Sequence, residues 1–290
     1  MSFLFDYQIN YYSDSDDITQ LPFSIFALTQ QGLEHQRLNI GNQDSGSLYL
    51  GKRVLIGAVA DGCTGGKNIN RLSNNQVGAS ISSYLTVRLL RKLVVKKKIG
   101  LKDLLPEFEQ ELLFHYKRLL NTLNPWKFEK SIVIKNMFLS TIIFFIITEN
   151  EYLVANCGDG DVIINGSTRK LDDQNSIYFA KNLTEIKRNQ NGNYFINPIY
   201  SFKTIAIGNS SELNSLFIAT DGFLDDDIEQ HPAFSKFFLE GTSEENFSGF
   251  RMDRAEFRTD FLTPIMEMKD GLIYPHDDAT FISLNRVHKS

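Results

Sequence analysis

Apolar residues recur along the first half of the chain at the spacing of amphipathic helices. From Val77 to Leu93 they fall every four positions, which predicts a helix with one apolar stripe that covers a sheet. A second helix is predicted to begin near Leu101 and to end before Pro125. Its predicted buried side consists of Leu104, Leu105, Phe108, Leu112, Tyr116 and Leu119.

Shorter apolar runs predict β-strands. Residues 48–50 and 54–59 flank Gly51-Lys52 as two strands of a hairpin would. The strongest run, residues 138–148, indicates a buried strand, because a membrane span needs about 20 apolar residues. Further strands are predicted at residues 152–156, 162–164, 194–196, 204–207, 216–220 and 279–284. Residues 225–268 are predicted to be mainly helical and irregular. The close spacing of the strands predicts largely antiparallel sheets with helices packed outside them.

Composition narrows the class of protein. The chain has 290 residues, 42% of them hydrophobic, and no repeat or low-complexity linker, so we expect a single globular domain over residues 1–290. A net charge of −5 argues against a nucleic-acid partner, and the basic run at residues 96–98 is interpreted as a solvated helix end. With two cysteines and no leading basic cluster, the chain is expected to be cytoplasmic, without a disulfide framework, a secretory signal or a membrane partner.

Aspartates fall at the ends of the predicted strands. Three strands end in Asp61-Gly62, Asp159-Gly160 and Asp221-Gly222, and Asp277-Asp278 directly precedes the last strand. Carboxylates gathered at one sheet edge would cost several kcal/mol per ion unless something neutralised them, and Mg²⁺ and Mn²⁺ prefer such oxygen ligands. Asp-Gly is also a common turn dipeptide, but four sites at strand ends favour a metal centre. Gly62 and Gly222 would let a backbone carbonyl approach the metal.

Other phosphate chemistries do not match these residues. Neither cysteine begins the Cys-x5-Arg loop of a thiol phosphatase, since Ile69 and Ile163 occupy the arginine positions. Residues 61–68 lack the first glycine and the final serine or threonine of a P-loop. The five histidines show no zinc-ligand spacing.

Short motifs follow one another along most of the chain. In order they are Asn42-Gln43-Asp44, Ala58-Val59-Ala60-Asp61-Gly62 with Gly65-Gly66, Ser140-Thr141, Val154-Ala155-Asn156-Cys157-Gly158-Asp159, Ala219-Thr220-Asp221-Gly222 and Asp277-Asp278-Ala279-Thr280. Together they resemble the metal-dependent serine/threonine protein phosphatases of the 2C type, in the form of a bacterial branch. The resemblance implies an α+β fold: a four-layer α-β-β-α sandwich in which helices flank two antiparallel sheets.

The resemblance also implies a site with two or three Mn²⁺ or Mg²⁺ ions. Its metal ligands would be Asp44, Asp61, Gly62, Asp159, Asp221, Asp225 and Asp277. Asp61 would bridge two ions, the Gly62 carbonyl would help to bind one of them, and Asp221 and Asp277 would ligate the other. These three aspartates would be the catalytic residues. The implied reaction is hydrolysis of phosphoserine or phosphothreonine in a protein substrate by a water that two metals share.

A third ion is implied by Asp159, Asp221 and Asp225, as in some relatives. Asp221 and Asp225 are four residues apart, which places them on one face of a helical turn. Asp44 would act at the metal site through water or by direct contact. The protein is expected to be a monomer.

Three departures from the family pattern concern the substrate. The phosphate-binding arginine of some relatives is replaced by Asn39, which leaves Arg37 or Arg53 as substitutes. Gln43 stands where a glutamate is common, and Cys63 stands where animal relatives have a proposed general-acid histidine, so metal-bound water would protonate the leaving group. The alternative function is a catalytically weak relative that binds a phosphorylated partner in signalling.

Overall fold

Two six-stranded β-sheets, a small two-stranded sheet and a layer of helices form most of the chain that the structure describes. The computed structural model describes residues 3–5, 9–13, 19–32, 35, 37, 41–63, 75–124, 129–169, 171, 177–184, 186–222, 267–268, 272–273 and 278–287. The described α-helices are α1 (Asn75–Arg91), extended by a π-helical turn (Lys92–Lys96), α2 (Leu104–Leu123), preceded by a 3₁₀ turn (Leu101–Asp103), and α3 (Lys130–Met137). Further 3₁₀ turns span Phe179–Leu183, Pro198–Tyr200 and Ser210–Glu212.

Each large sheet has six strands. The first contains, in spatial order, β1 (Phe3–Phe5), β3 (Phe23–Gln30), β14 (Ala279–Arg286), β11 (Ser215–Ala219), β8 (Asp161–Ile164) and β9 (Ser167–Arg169). The second contains β10 (Lys203–Asn209), β7 (Glu151–Cys157), β6 (Ile142–Thr148), β5 (Val54–Ala60), β4 (Ser45–Gly51) and β2 (Asn10–Ser13). Only the pairs β1–β3 and β2–β4 are parallel among these strands, so the expected α+β class with two mainly antiparallel sheets is confirmed.

Side chains of the central strands point alternately to the two faces of the second sheet, and this divides the hydrophobic core into two clusters. Leu55 and Phe145 lie in the cluster between the two sheets, whereas their neighbours Ile56 and Phe144 lie in the cluster under the helices. Successive side chains of a strand point to opposite faces, so a strand buried on both faces reads as a continuous apolar run. The second sheet is therefore an interior layer, with α1 packed on β4 and β5.

The second outer layer of helices that the four-layer sandwich implies is not among the described elements, and most of the segment expected to be helical, residues 225–268, lies outside them. At the end of the segment expected to be helical, Glu267–Met268 instead forms strand β12, which pairs with β13 (Leu272–Ile273). The strand expected at residues 194–196 is wrong as well, because only Tyr194 makes a β-bridge there, to Arg188. The Gln110 side chain takes the place of a strand, since its Oε1 accepts from Tyr194 N at 2.7 Å.

The start of the apolar run at residues 138–148 also differs from the prediction. The strand begins at Ile142, and α3 ends at Met137 beside α1. Gly78 permits this contact, because a Cβ there would lie 2.8 Å from the Met137 carbonyl oxygen. None of the helices in the described ranges is both long and apolar enough to cross a membrane. Lys97 in the basic run reaches Glu111 at 2.9 Å, as suits a solvated helix end.

Candidate metal centre

Three of the predicted ligands meet at one end of the sandwich. Asp61 directly follows β5, Asp159 follows β7 by two residues, and Asp221 follows β11 by two residues. One carboxylate oxygen from each lies within 4.8 Å of the other two. A Mg²⁺ ion holds its oxygens at about 2.1 Å, so two oxygens on opposite sides of one ion are about 4.2 Å apart. The spread of the three carboxylates is thus close to the span that a hard divalent ion requires.

Two glycines fix the position of Asp159. Gly158 and Gly160 have φ values of +108° and +117°, a conformation that residues with a Cβ rarely adopt. A Cβ on Gly160 would lie 2.6 Å from the Ala219 carbonyl oxygen, and one on Gly158 would lie 2.7 Å from Thr141 Cβ. The turn can therefore press against the end of β11, which brings Asp159 to Asp221. The glycines that the sequence analysis singled out, Gly62 and Gly222, do not have positive φ.

A closed ring of hydrogen bonds holds Asp44 beside this cluster. Thr220 Oγ1 donates to Asp44 Oδ2 at 2.5 Å and accepts from Thr280 N at 2.8 Å. Thr280 Oγ1 donates to Thr29 Oγ1, which also accepts from Asn42 Nδ2, at 2.6 and 2.8 Å. Asn42 Oδ1 then accepts from Asp44 N at 2.9 Å. The ring joins four separate chain segments and fixes the orientation of one carboxylate.

The free side of that carboxylate fits a cation. Asp44 is buried, and its Oδ1 has no hydrogen-bond partner among the described residues. Burial, together with the nearby charge of Asp61, raises the pKa of Asp44 well above its usual range. Burial also raises the pKa of Asp159. Two carboxylates that resist ionisation, Asp44 with an unpaired oxygen and Asp159, suit a hard divalent ion that would stabilise their ionised forms.

Asp278 has a different environment, although it lies at the same end of the sandwich. Its Oδ1 accepts from Gly32 N at 2.7 Å, and its Oδ2 accepts from Gln43 N and lies 2.8 Å from His35 Nδ1. The Gln43 carbonyl in turn accepts from Gly62 N at 3.1 Å. Asp278 thus fixes the backbone segment that carries Asp44 and links it to Gly62.

Cys63 lies beside the acidic cluster, at the position where animal relatives have a proposed general-acid histidine. Burial raises the pKa of its thiol, although a hydrogen bond with Tyr178 and the charge of Lys181 act in the opposite direction. Lys181 Nζ also lies over the rings of Tyr178 and Tyr200, at 5.2 and 5.5 Å from their centroids. The site therefore includes a phenol and an ammonium group near the carboxylates. No sequence motif identifies them, because only the packing of their loop brings them to the site.

The two arginines proposed as phosphate contacts lie in different places. Arg37 is exposed, on the segment between β3 and β4 that also carries Asp44, and its role stays a prediction. Arg53 lies in the β4–β5 turn, where its Nε is 3.4 Å from Glu149 Oε1. Eight residues separate Arg53 from Asp61, which corresponds to about 26 Å of extended chain. A phosphate at the carboxylates is out of its reach, so the prediction for Arg53 is corrected.

Two predicted ligands, Asp225 and Asp277, lie outside the described residues, and their roles stay predictions. Gly62 is described, and a β-bridge pairs it with Ser140. No role for Asp278 or Thr220 was predicted from the sequence, although both belong to the family motifs. Their residue types can be read from the sequence, but their hydrogen-bond partners lie far away along the chain.

Comparison with known families agrees with this geometry. The family model described as Protein phosphatase 2C matches residues 31–251, which is more than half of the chain. The chain belongs to this family. The resemblance drawn from the six motifs is thereby confirmed, and the enzyme class is that of the serine/threonine protein phosphatases.

Solved structures show the same fold at low sequence identity. The serine/threonine phosphatase Stp1 from Staphylococcus aureus is 11% identical, with a TM-score of 0.52 over 91% of this chain and 95% of that chain. A bacterial serine phosphatase is 13% identical, with a TM-score of 0.50 over 92% of this chain and 98% of that chain. No curated protein sequence matches this member of the protein phosphatase 2C family.

Proposed function

We propose that this protein hydrolyses phosphoserine and phosphothreonine in proteins with Mn²⁺ or Mg²⁺ as cofactor. The observation that carries the proposal is the convergence of Asp61, Asp159 and Asp221, whose carboxylate oxygens lie within 4.8 Å of one another. Family membership supports the same reaction. Two or three ions would be held by these residues with Asp44, Asp225, Asp277 and the carbonyl of Gly62. When bound, they would supply an activated water and neutralise the charge of the phosphoryl oxygens.

The residues of the chain would orient both the cofactor and the substrate. The ring through Thr220 and Thr280 would hold Asp44 in a single orientation, so that its Oδ1 faces the centre. The two glycines around Asp159 would keep its carboxylate against Asp221. Lys181 is a cation whose charge acts on Cys63, which makes it a candidate for contact with the phosphate in place of the family arginine.

Hydrolysis of p-nitrophenyl phosphate with and without Mn²⁺ tests the proposal. We expect Mn²⁺-dependent turnover that EDTA abolishes, and a loss of about 10³-fold in kcat/KM for Asp61→Asn. This variant keeps the shape of the side chain but removes a ligand charge. Asp103→Asn is the matched control, since Asp103 is an exposed aspartate at the start of α2, and it should retain full activity.

Turnover that is independent of added metal, or that is equal in Asp61→Asn, would overturn the proposed mechanism. A protein without turnover that still binds phosphopeptides would instead match the alternative function, a catalytically weak partner-binding relative. The replacement of the family arginine by Asn39 favours that alternative. The intact carboxylate cluster favours catalysis.

A further inference from the structure

A cavity of about 490 Å³ opens next to the candidate metal centre, between the edges of the two sheets. We call it the basic cavity. It is lined by Asn156, Cys157, Gly158, Thr168, Arg169, Leu171, Ile177, Ser201, Lys203, Thr204 and Ile205. Gly158 directly precedes Asp159, so one wall of the cavity continues into the metal centre. Its volume is in the range of cavities that bind small groups and peptide side chains.

Strand register places the two cations of the cavity at the end that faces the metal centre. Arg169 on β9 pairs with Val162, which lies two residues after Gly160. Lys203 on β10 pairs with Asn156, which lies three residues before Asp159. The strands β9 and β10 are the last strands of different sheets. The two cations therefore approach the same cavity from opposite sides.

The described lining residues carry a charge opposite to that of the chain as a whole. Arg169 and Lys203 are both exposed, and none of the lining residues within the described ranges is acidic, although the chain carries a net charge of −5. The nearby carboxylate of Glu109 is buried behind the wall, where it accepts from Phe202 N at 2.6 Å. Hydroxyl groups of Thr168, Ser201 and Thr204 add polar atoms to the lining. Such a lining favours an anion over a neutral or apolar group.

We propose that the basic cavity binds a second anionic group of the substrate, a carboxylate or phosphate on a residue near the phosphoserine that is hydrolysed. This inference rests on the proposed function, because the metal centre fixes where the first phosphate lies. Arg169 and Lys203 pair with Val162 and Asn156, each three residues from Asp159, which corresponds to about 10 Å of extended chain. The second anion would therefore be about two to three residues from the phosphoserine. The protein would then prefer acidic or multiply phosphorylated sites.

Phosphoserine peptides that differ in one side chain test this selectivity. Three sets of peptides carry a different residue two or three positions before or after the phosphoserine. The first set carries Asp there, the second carries Asn, and the third carries a second phosphoserine. We expect the better Asp peptide to bind and react about 5- to 10-fold more favourably than its Asn partner, because charge-assisted hydrogen bonds to Arg and Lys are lost with Asn. The Asp and phosphoserine arms distinguish a carboxylate from a phosphate as the preferred group.

The double variant Arg169→Ala/Lys203→Ala should reduce the ratio between the Asp and Asn peptides, in affinity and in kcat/KM, to about one. Lys102→Ala/Lys130→Ala is the matched control, because it removes two exposed lysines and the same net charge from the helical side. The control should keep both the ratio and the turnover of p-nitrophenyl phosphate. Peptide affinities measured by fluorescence anisotropy give the ratio independently of turnover.

The two proposals fail in different ways. Equal affinities for Asp and Asn peptides, or a ratio that survives in Arg169→Ala/Lys203→Ala, would overturn the inference and leave the phosphatase function intact if p-nitrophenyl phosphate is still hydrolysed. Absence of Mn²⁺-dependent hydrolysis would overturn the proposed function. The ratio of Asp-peptide to Asn-peptide affinities, measured by anisotropy, would then still decide whether the cavity selects an anionic group.

Discussion

Asp44 and Asp278 are two buried carboxylates at the same end of the sandwich, and the groups around them differ. Asp278 has hydrogen-bond partners on both oxygens: the backbone N–H groups of Gly32 and Gln43, and His35. Asp44 accepts from Thr220 on one oxygen, while its other oxygen has no partner among the described residues. A buried charge is stable only when donors or a cation compensate for the lost water.

On the proposed function, the difference would separate a carboxylate that supports the fold from one that holds a metal ion. Asp278 is compensated by the protein itself and connects the start of β14 to the segment before β4. The pKa of Asp44 is raised by burial and by Asp61, so the protein alone does not compensate its charge.

The largest effect on stability is expected at Asp278. Asp278→Asn removes the negative charge and replaces one acceptor oxygen with an amide NH₂ group. This group would face partners such as the Gly32 and Gln43 N–H groups, which are themselves donors. We expect a loss of about 3 kcal/mol in the free energy of unfolding, which urea titration in EDTA would measure. Asp103→Asn, on an exposed aspartate, should change this free energy very little. An equally small change for Asp278→Asn would show that its three hydrogen bonds do not hold the segment.

Features that depend on neighbouring residues could be predicted from the sequence. The hairpin of β4 and β5 followed from two apolar runs around a turn, and the helix from Val77 from its apolar spacing. Asp61, Asp159 and Asp221 could be identified because each lies just beyond the end of a strand. These signals are local, so a single chain contains them in full.

Features that depend on register between distant segments could not be predicted. The hydrogen-bond ring that holds Asp44 includes residues on three other segments, and Thr220, which donates to Asp44, is 176 residues away. The basic cavity depends on two edge strands that come together only after both sheets form. Residues 194–196 have the composition of a strand, but the Gln110 side chain binds both backbone groups of Tyr194. A tertiary contact here overrides local preference.

Asp44→Asn should have the opposite effect to Asp278→Asn. Without metal, the amide keeps an acceptor for Thr220 and removes a buried charge that Asp61 repels. We expect a gain of about 1–2 kcal/mol in EDTA and about tenfold weaker Mn²⁺ binding. Urea unfolding with and without Mn²⁺ measures both quantities. A loss of stability in EDTA would show that Asp44, like Asp278, is compensated by the protein alone.

Glu109 is a third buried carboxylate among the described residues. It extends the comparison to a position outside the candidate metal centre. It accepts one backbone hydrogen bond, from Phe202 N, and burial raises its pKa to about 7. Between the pKa of the unfolded chain, about 4.3, and this value, the folded protein holds a proton that the unfolded chain has released. Its contribution to stability is therefore fully present at low pH and is lost as the pH rises through 7.

From pH 6 to pH 8 the Glu109 carboxyl should lower the free energy of unfolding by about 1 kcal/mol. Glu109→Gln keeps an acceptor for Phe202 N but cannot ionise, so this part of the pH dependence should disappear. Glu107→Gln, on the exposed face of the same helix, should retain it. Urea unfolding across this pH range measures the slope for all three proteins. If Glu109→Gln retained the slope of the unmodified chain, a single backbone donor would suffice to hold a buried carboxylate ionised.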